Sequence, residues 1–193
     1  SFRASTAVDP GPSLRLRRAE ITLAGSYLRS NAGWDAALTN GSLRTERAGD
    51  AETLQRITFT ATEVRPSQPL RAVLDPAGVL PDTITELAVD ADLGFDRPWD
   101  RRAIEDRRPQ IRTIDLARMR ALWGEAELEA AGQLTVDAEG VPTGESTVRA
   151  TNWREIFAVL QNAGVVPEAF ARALESVLES LAGLSGNPET IVA

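Results

Sequence analysis

Residues 123–162, WGEAELEAAGQLTVDAEGVPTGESTVRATNWREIFAVLQN, contain the pattern that decides the fold. In the first part of this stretch, Ala126, Leu128 and Ala130 alternate with three glutamates, and the alternation resumes after Gly132. A period of two residues is typical of a strand with one covered face and one face in water. We therefore predict a long strand in this region.

The same stretch then predicts a reversal, a returning strand and a helix. Asp137 and Gly140 suit a tight turn, and residues 146–150 form the strand that returns. Thr151 and Asn152 offer side-chain oxygens that can cap the first turn of a helix. The apolar residues of that helix recur on one face: Trp153, Ile156, Phe157 and Leu160.

Several earlier runs also have the composition or alternation of strands. They are residues 14–24, 54–64, 85–95 and 111–123, although residues 117–122 are equally compatible with a helix. Residues 85–95 give the cleanest alternation, with apolar side chains at every odd position from Leu87 to Phe95.

The links between these runs carry their own signals. Asn40 and Gly41 indicate a reversal, so we predict a meander of short strands over residues 26–47. A bulge fits near Arg17 and Arg18. We expect Asp96 to cap a short helical piece that reaches Ile104.

The two ends of the chain are predicted to differ. Residues 1–13 contain a Pro-Gly-Pro sequence and are expected to be a loose lead-in. A second amphipathic helix follows Pro167, so residues 151–184 are predicted to form a helical hairpin. Its apolar stripe is Phe170, Leu174, Val177, Leu178 and Leu181.

The fold class follows from the order of these elements. Many short strands, two late helices and no strand–helix–strand alternation indicate an α+β fold in which β dominates. We expect a curved antiparallel sheet with a C-terminal helical hairpin. A length of 193 residues favours one domain.

The composition excludes several classes of function. The chain has a net charge of −7, so a nucleic-acid partner has no electrostatic support. It has no histidine and no cysteine, and all 21 of its basic residues are arginine. The usual general base, thiol nucleophile, Schiff-base lysine and transition-metal ligands are therefore missing. We expect a non-enzymatic protein without cofactor or metal. The sequence contains no apolar run long enough to cross a membrane, so no membrane span is predicted.

Acidic side chains line the predicted wet faces of two strands. They are Asp90 and Asp92 on one strand, and Glu125, Glu127 and Glu129 on the other. Paired carboxylates can hydrolyse glycosides, but the perfect apolar set opposite them favours a simple solvated face.

The densest charge lies in residues 96–108. Four arginines of this segment are candidate anion-binding residues: Arg101, Arg102, Arg107 and Arg108. The alternative, which we favour, is a surface segment whose own acids, Asp100, Glu105 and Asp106, neutralise most of its positive charge.

A set of motifs resembles a known family. The motifs are residues 123–124 (WG), 132–137 (GQLTVD), 140–144 (GVPTG), 152–155 (NWRE) and 184–188 (LSGNP), with residues 96–109 fitting the same pattern. They resemble the alphaproteobacterial domain-of-unknown-function family 2125. The resemblance implies a periplasmic, envelope-facing protein and supplies no catalytic residues. It also implies a longer precursor with a signal or anchor segment before residue 1 and a further strand pair after residue 193.

A looser similarity of strand–turn units extends to AsmA-like envelope proteins, whose curved sheets form grooves for lipids. It leads to the hypothesis that this chain binds or transfers a lipid or other apolar ligand. The candidate ligand-facing residues are Leu87, Val89, Leu93, Phe95, Leu128, Leu134 and Val136. The alternatives are an envelope scaffold that binds a protein partner and, third, a glycan hydrolase that uses only carboxylates.

Overall fold

The strands of this protein lie side by side in the order in which the chain makes them. The computed structural model describes residues 1–29, 35–164, 166, 168–184 and 187–192. Over these residues nine strands form one antiparallel sheet, ordered from β1 to β9. The strands are β1 Phe2–Val8, β2 Leu16–Arg29, β3 Asp35–Arg47, β4 Leu54–Pro66, β5 Ile84–Phe95, β6 Ile111–Trp123, β7 Ala126–Val136, β8 Pro142–Thr151 and β9 Thr190–Val192.

Four helices complete the fold over the described residues. They are α1 Gln68–Leu74, α2 Arg102–Glu105, α3 Trp153–Asn162 and α4 Glu168–Leu184. The prediction of a β-dominant α+β fold with an antiparallel sheet and two C-terminal helices is confirmed.

The register of the strands separates the side chains into two faces. Residues directly opposite each other in an antiparallel pair point to the same side of the sheet. One row therefore crosses all nine strands with only apolar side chains and one glycine: Phe2, Leu23, Gly41, Ala61, Leu87, Ala121, Leu128, Ala150 and Ile191. We call this side the apolar face, and the opposite side the polar face.

A second apolar row runs beside the first on the same face. It contains Ala4, Ile21, Leu43, Phe59, Val89, Met119, Ala130 and Val148. The two rows together make the apolar face continuous from β1 to β8.

Helices α3 and α4 cover the apolar face at the C-terminal end of the sheet. Trp153 and Phe157 of α3 pack with Ala150 of β8 and Ile191 of β9, and Ala171 and Ala182 of α4 belong to the same buried cluster. The Trp153 side chain is only 2% exposed, and its indole N–H donates to the carbonyl oxygen of Pro188 at 3.0 Å. We call this group the Trp153 cluster.

The predicted apolar stripe of α4 is only partly buried. Leu178 and Leu181 pack against the Trp153 cluster, whereas Val177 is exposed because α4 presents a neighbouring side to the sheet. Pro167 and the side chain of Phe170 lie outside the described residues.

The cap predicted for α3 differs from the structure. Asn152 does occupy the N-cap, but in a left-handed conformation with φ of 52° and without a side-chain bond to the helix. Its amide instead donates to the Glu125 carbonyl oxygen at 2.8 Å, which ties the start of α3 to the β6–β7 turn.

The β7–β8 hairpin is confirmed, together with its turn. The Val141 N–H donates to the Asp137 carboxylate at 2.8 Å, and the Gly140 N–H donates to the Asp137 carbonyl oxygen. Two glycines allow the strands to approach closely. A Cβ at Gly132 would lie 2.4 Å from the Glu145 carbonyl oxygen, and one at Gly144 would lie 2.1 Å from that of Gln133.

The expectation of a loose lead-in over residues 1–13 is wrong for residues 2–8. These residues form β1 and pair with β2, so main-chain bonding orders a segment whose mostly small side chains give only a weak apolar alternation. The predicted bulge is confirmed: Ala7 faces Arg18 and Val8 faces Leu16, so Arg17 is the extra residue.

The turn predicted at Asn40 and Gly41 is also wrong. Both residues pair in the middle of the continuous strand β3. Gly41 serves close packing there, since a Cβ at this position would lie 3.2 Å from Leu38 Cδ1. The strands are accordingly longer than the short meander that we expected over residues 26–47.

Two further local expectations need correction. Asp96 caps no helix: it accepts a bond from the Gln110 N–H, and the only helical residues nearby are those of α2. Residues 117–122 are part of strand β6 and are not helical. A short helix that was not predicted, α1, is capped by the Ser67 hydroxyl, which accepts from the Leu70 N–H.

The polypeptide between β5 and β6 reaches back to the first hairpin. The Leu16 N–H donates to the Trp99 carbonyl oxygen at 2.7 Å, and the Arg101 N–H donates to the Ser13 carbonyl oxygen at 2.9 Å. We call residues 96–110 the arginine loop. Within the described ranges, no helix has the length and hydropathy that a membrane crossing requires.

We predict opposite effects for alanine at two glycines. Gly132→Ala places a methyl group against the β8 backbone and should lower the free energy of unfolding by about 2–3 kcal/mol. Gly183→Ala meets nothing within 4 Å in a helix and should raise it by about 0.5–1 kcal/mol. Urea unfolding of both variants checks this. Equal effects would contradict the close β7–β8 approach.

Candidate functional site

Most of the apolar face has no second layer above it. α3 packs on β7 and α4 on β9, and the large apolar side chains of the two rows on β1–β6 are half-exposed or exposed, whereas Ala61 of the first row is buried. Phe2 is 68% exposed and Leu43 is 40% exposed. We call this area the open patch, formed by Phe2, Ile21, Leu23, Leu43, Phe59, Leu87, Val89 and Met119.

An uncovered apolar area of this kind is unusual for a protein surface. Contiguous apolar patches larger than a few hundred Å² mark sites for proteins, membranes or ligands on soluble proteins. Both rows that build the open patch contain only apolar residues or glycine, so no charged side chain of these rows interrupts it. The open patch is therefore the candidate functional site.

The structure separates the candidate ligand-facing residues into three places. Leu87 and Val89 lie in the open patch on β5. Leu128 packs against the Trp153 cluster beneath the helices. The other four lie near the strand ends that are farther from the open patch. Leu93 and Leu134 share a row through Ile114. Phe95 contacts Trp99, and Val136 faces Pro142.

Sequence reasoning found only Leu87 and Val89 of the eight residues of the open patch. Ile21, Leu43, Phe59 and Met119 are in its centre, and each faces the next across neighbouring strands or through Val89. The alternation of β2 was visible, but the turn wrongly predicted at Asn40 hid the pairing of β2 with β3. A continuous strand over residues 35–47 would have aligned these side chains.

Polar residues lie on the apolar face toward the arginine loop. Gln55 is only 1% exposed, and its side-chain oxygen accepts from the Thr45 hydroxyl at 3.2 Å. Arg47, which faces Gln55 in the register, donates to Asp9 at 2.6 Å. These polar residues end the apolar surface of β3 and β4 on the side of the arginine loop. The open patch therefore lies toward the strand ends that are farther from this loop.

The four candidate anion-binding arginines are not equivalent. Arg101 pairs with Glu105 at 2.7 Å and Arg107 pairs with Asp96 at 2.5 Å. Arg102 and Arg108 are exposed, and neither forms an ion pair with a described residue. The pKa of Asp96 is lowered, first by the Gln110 N–H and then by Arg107. Anion binding by this set stays a prediction.

The polar face carries ion pairs that cross the strands. Arg120 of β6 binds Glu86 of β5 and Glu127 of β7, each at 2.6 Å, and Glu129 lies 3.9 Å away. Glycoside hydrolysis uses two carboxyl groups that face the scissile bond, whereas each of these carboxylates lies beside Arg120.

A second pair on the polar face joins β4 to β5. Arg56 donates two hydrogen bonds of 2.8 Å to the two carboxylate oxygens of Asp92. These bonds hold the pKa of Asp92 below its usual range, so this carboxylate stays ionised. Glu125, which we placed in the acidic row, lies in the β6–β7 turn.

Comparison with known proteins gives one match. The family model described as "Uncharacterized protein conserved in bacteria (DUF2125)" matches residues 1–193. No curated protein and no solved structure matches the chain.

The Arg56–Asp92 pair predicts a specific dependence of stability on pH. Because the pKa of Asp92 is lowered in the folded state, its contribution is complete above the unfolded-state pKa of about 3.9 and is lost as the pH falls through the folded-state pKa. Asp92→Asn should therefore destabilise the protein at neutral pH, and the difference from wild type should shrink in acid.

The measurement is urea unfolding of wild type and variant over a pH series. Asp90→Asn is the matched control, because Asp90 is on the same strand and face and has no ion pair with a described residue. The same pH dependence in both variants would refute the role of the Arg56 pair.

Proposed function

The chain belongs to the family of uncharacterised proteins conserved in bacteria (DUF2125), and we propose that it binds the acyl chain of a lipid, or a similarly elongated apolar molecule, on the open patch. The observation that carries this proposal is the pair of continuous apolar rows on β1–β6 that α3 and α4 leave uncovered. Removing such a surface from water is the main source of free energy for an apolar ligand.

The dimensions of the open patch suit an acyl chain. Neighbouring strands lie about 4.8 Å apart, so the five intervals from β1 to β6 span roughly 24 Å. A lipid acyl chain covers half of a hydrocarbon core of about 30 Å, so it fits within this width. Each buried methylene contributes about 0.8 kcal/mol, so a chain lying along one row gains several kcal/mol before the costs of ordering it.

We place this activity in the periplasm of bacteria that make an outer envelope. Support comes from the motifs that resemble the alphaproteobacterial family and, more loosely, AsmA-like envelope proteins. The uncovered apolar face supports the second resemblance, since a sheet with one apolar face is the feature on which it depends. Protease access to a tagged protein in spheroplasts tests the location, and a protein protected until the inner membrane is lysed would contradict it.

A scaffold function is the second candidate, and the outer edge of β1, which pairs with no other described strand, favours it. An unpaired strand edge is a template for a strand of another chain. The third candidate, a carboxylate-only glycan hydrolase, has less support because Asp92, Glu86 and Glu127 are all engaged by arginines.

We predict that a charge within the open patch abolishes ligand binding without unfolding the protein. Leu43→Glu puts a carboxylate in the centre of the second row, where the side chain is exposed enough for the fold to tolerate it. Burying that charge under an acyl chain is costly. The affinity for a fluorescent fatty-acid probe should fall about tenfold or more, which corresponds to about 1.4 kcal/mol.

Ser42→Glu is the matched control, because Ser42 precedes Leu43 on the same strand and points to the polar face. It should leave the probe affinity within about twofold of wild type, a difference small against the tenfold step. Native mass spectrometry of protein purified from a bacterial envelope supplies the independent readout. Protein free of extractable lipid, with no saturable probe binding, would reject the proposal and favour the scaffold.

A further inference from the structure

The outer edge of β1 is a strand edge with few of the features that prevent pairing. β1 is the first strand of the sheet, and among the described residues it pairs only with β2. All seven of its side chains are exposed. Natural edges are usually blocked by several charges, a proline or a covering segment, and β1 contains one charge, Arg3, and no proline.

The hydrogen bonds to β2 show which backbone groups of β1 remain free. The Ala24 N–H donates to the Ser1 carbonyl oxygen at 2.9 Å, and the Asp9 N–H donates to the Arg15 carbonyl oxygen at 2.8 Å. In an antiparallel pair the residues that bond to the neighbour alternate along the strand. Odd-numbered residues therefore bond to β2, and the N–H and C=O groups of Phe2, Ala4, Thr6 and Val8 point away from the sheet.

We propose that β1 pairs with β1 of a second copy, antiparallel and with the two-fold axis at Ser5. This register places Phe2 opposite Val8 of the second copy and Ala4 opposite Thr6. All four residues with outward groups then exchange hydrogen bonds with residues that also have outward groups. Both chains of the pair contribute the same bonds, as a two-fold interface requires.

The side chains of β1 fit this register on both faces. Phe2 and Val8, which are 68% and 40% exposed, meet on the apolar face. On the polar face Arg3 lies opposite Ala7, and the two copies of Arg3 are separated by four residues, roughly 13 Å along the strand. The same-charge contact that would disfavour self-pairing is therefore absent.

Neighbouring registers are poorer. An axis at Ala4 pairs Phe2 with Thr6 and leaves Val8 without an apolar neighbour, and an axis at Thr6 leaves Phe2 unpaired. The register about Ser5 also makes the apolar faces of the two copies continuous across the seam. The seam involves one strand from each copy, so a weak, concentration-dependent dimer is expected.

Disulfide cross-linking tests the register directly, since the chain has no cysteine of its own. Ser5 would form a pair without hydrogen bonds to itself, with a Cα–Cα distance of about 4.5 Å, which is within the range of a disulfide. Ser5→Cys should cross-link into a covalent dimer under mild oxidation. Arg3→Cys and Ala7→Cys, each alone, should not, because their copies are roughly 13 Å apart.

Mixing the Arg3→Cys and Ala7→Cys proteins should produce the heterologous cross-link, since these two positions face each other across the axis. Equal cross-linking of all three single variants, or a Ser5→Cys protein that stays monomeric while the mixture also fails, would overturn the proposal. A disulfide to a different protein in place of the second copy would also overturn it.

Thr6→Pro provides a test that needs no cysteine. The Thr6 N–H points away from β2, so proline removes a donor to the second copy and keeps the β1–β2 bonds. Sedimentation velocity should show the concentration-dependent dimer for wild type and for Thr6→Val, and only monomer for Thr6→Pro. Dimers of equal strength in all three would refute the edge pairing. These readouts do not involve a ligand, so their result is independent of lipid binding.

Discussion

The structure depends on the Trp153 cluster and on its position at one end of the sheet. A sheet whose strands alternate strictly must collect all its apolar side chains on one face, and that face then requires a cover. Here α3 and α4 provide that cover over β7–β9, where Trp153 and Phe157 meet Ala150 and Ile191. The indole bond from Trp153 to Pro188 also fixes the segment that leads into β9. The remaining strands are held by lateral hydrogen bonds and by neighbouring side chains, so their apolar face stays available.

The polar face explains how such a thin structure keeps its register. A slip of one residue would turn every apolar side chain to the wrong side, and the open strands have no second layer to oppose it. Arg120 contacts carboxylates on both neighbouring strands, and the Arg56 guanidinium donates two hydrogen bonds to the Asp92 carboxylate. Surface ion pairs contribute little stability singly, but their geometry is satisfied in one register only. A chain whose basic residues are all arginine is well equipped for this forked pairing.

The sequence predicted those elements whose signal is local. The alternation of residues 85–95 and the Asp137–Gly140 turn gave β5 and the β7–β8 hairpin, because side-chain period and turn chemistry are read over a few residues. The errors concern interactions between distant residues. The sequence predicts a turn at Gly41, whereas this glycine makes room for Leu38 within β3. The sequence predicts a loose segment over residues 1–13, whereas main-chain bonds to β2 order β1. The open patch could be predicted only in part for the same reason, since it exists through the pairing of β2, β3 and β4.

The order of the strands has a consequence for how the protein acquires its structure. Each strand pairs with the one made just before it, and over the described residues none must wait for a partner that comes much later in the chain. Loop-closure entropy therefore stays small from β1 to β8, and folding can proceed there by adding each strand to a growing edge, whereas β9 joins only after α3 and α4. A chain whose N-terminal residues become available first can add one strand after another in chain order. The same order lets force applied to β1 and β9, the two edge strands over the described residues, separate strands one at a time without breaking the whole sheet at once.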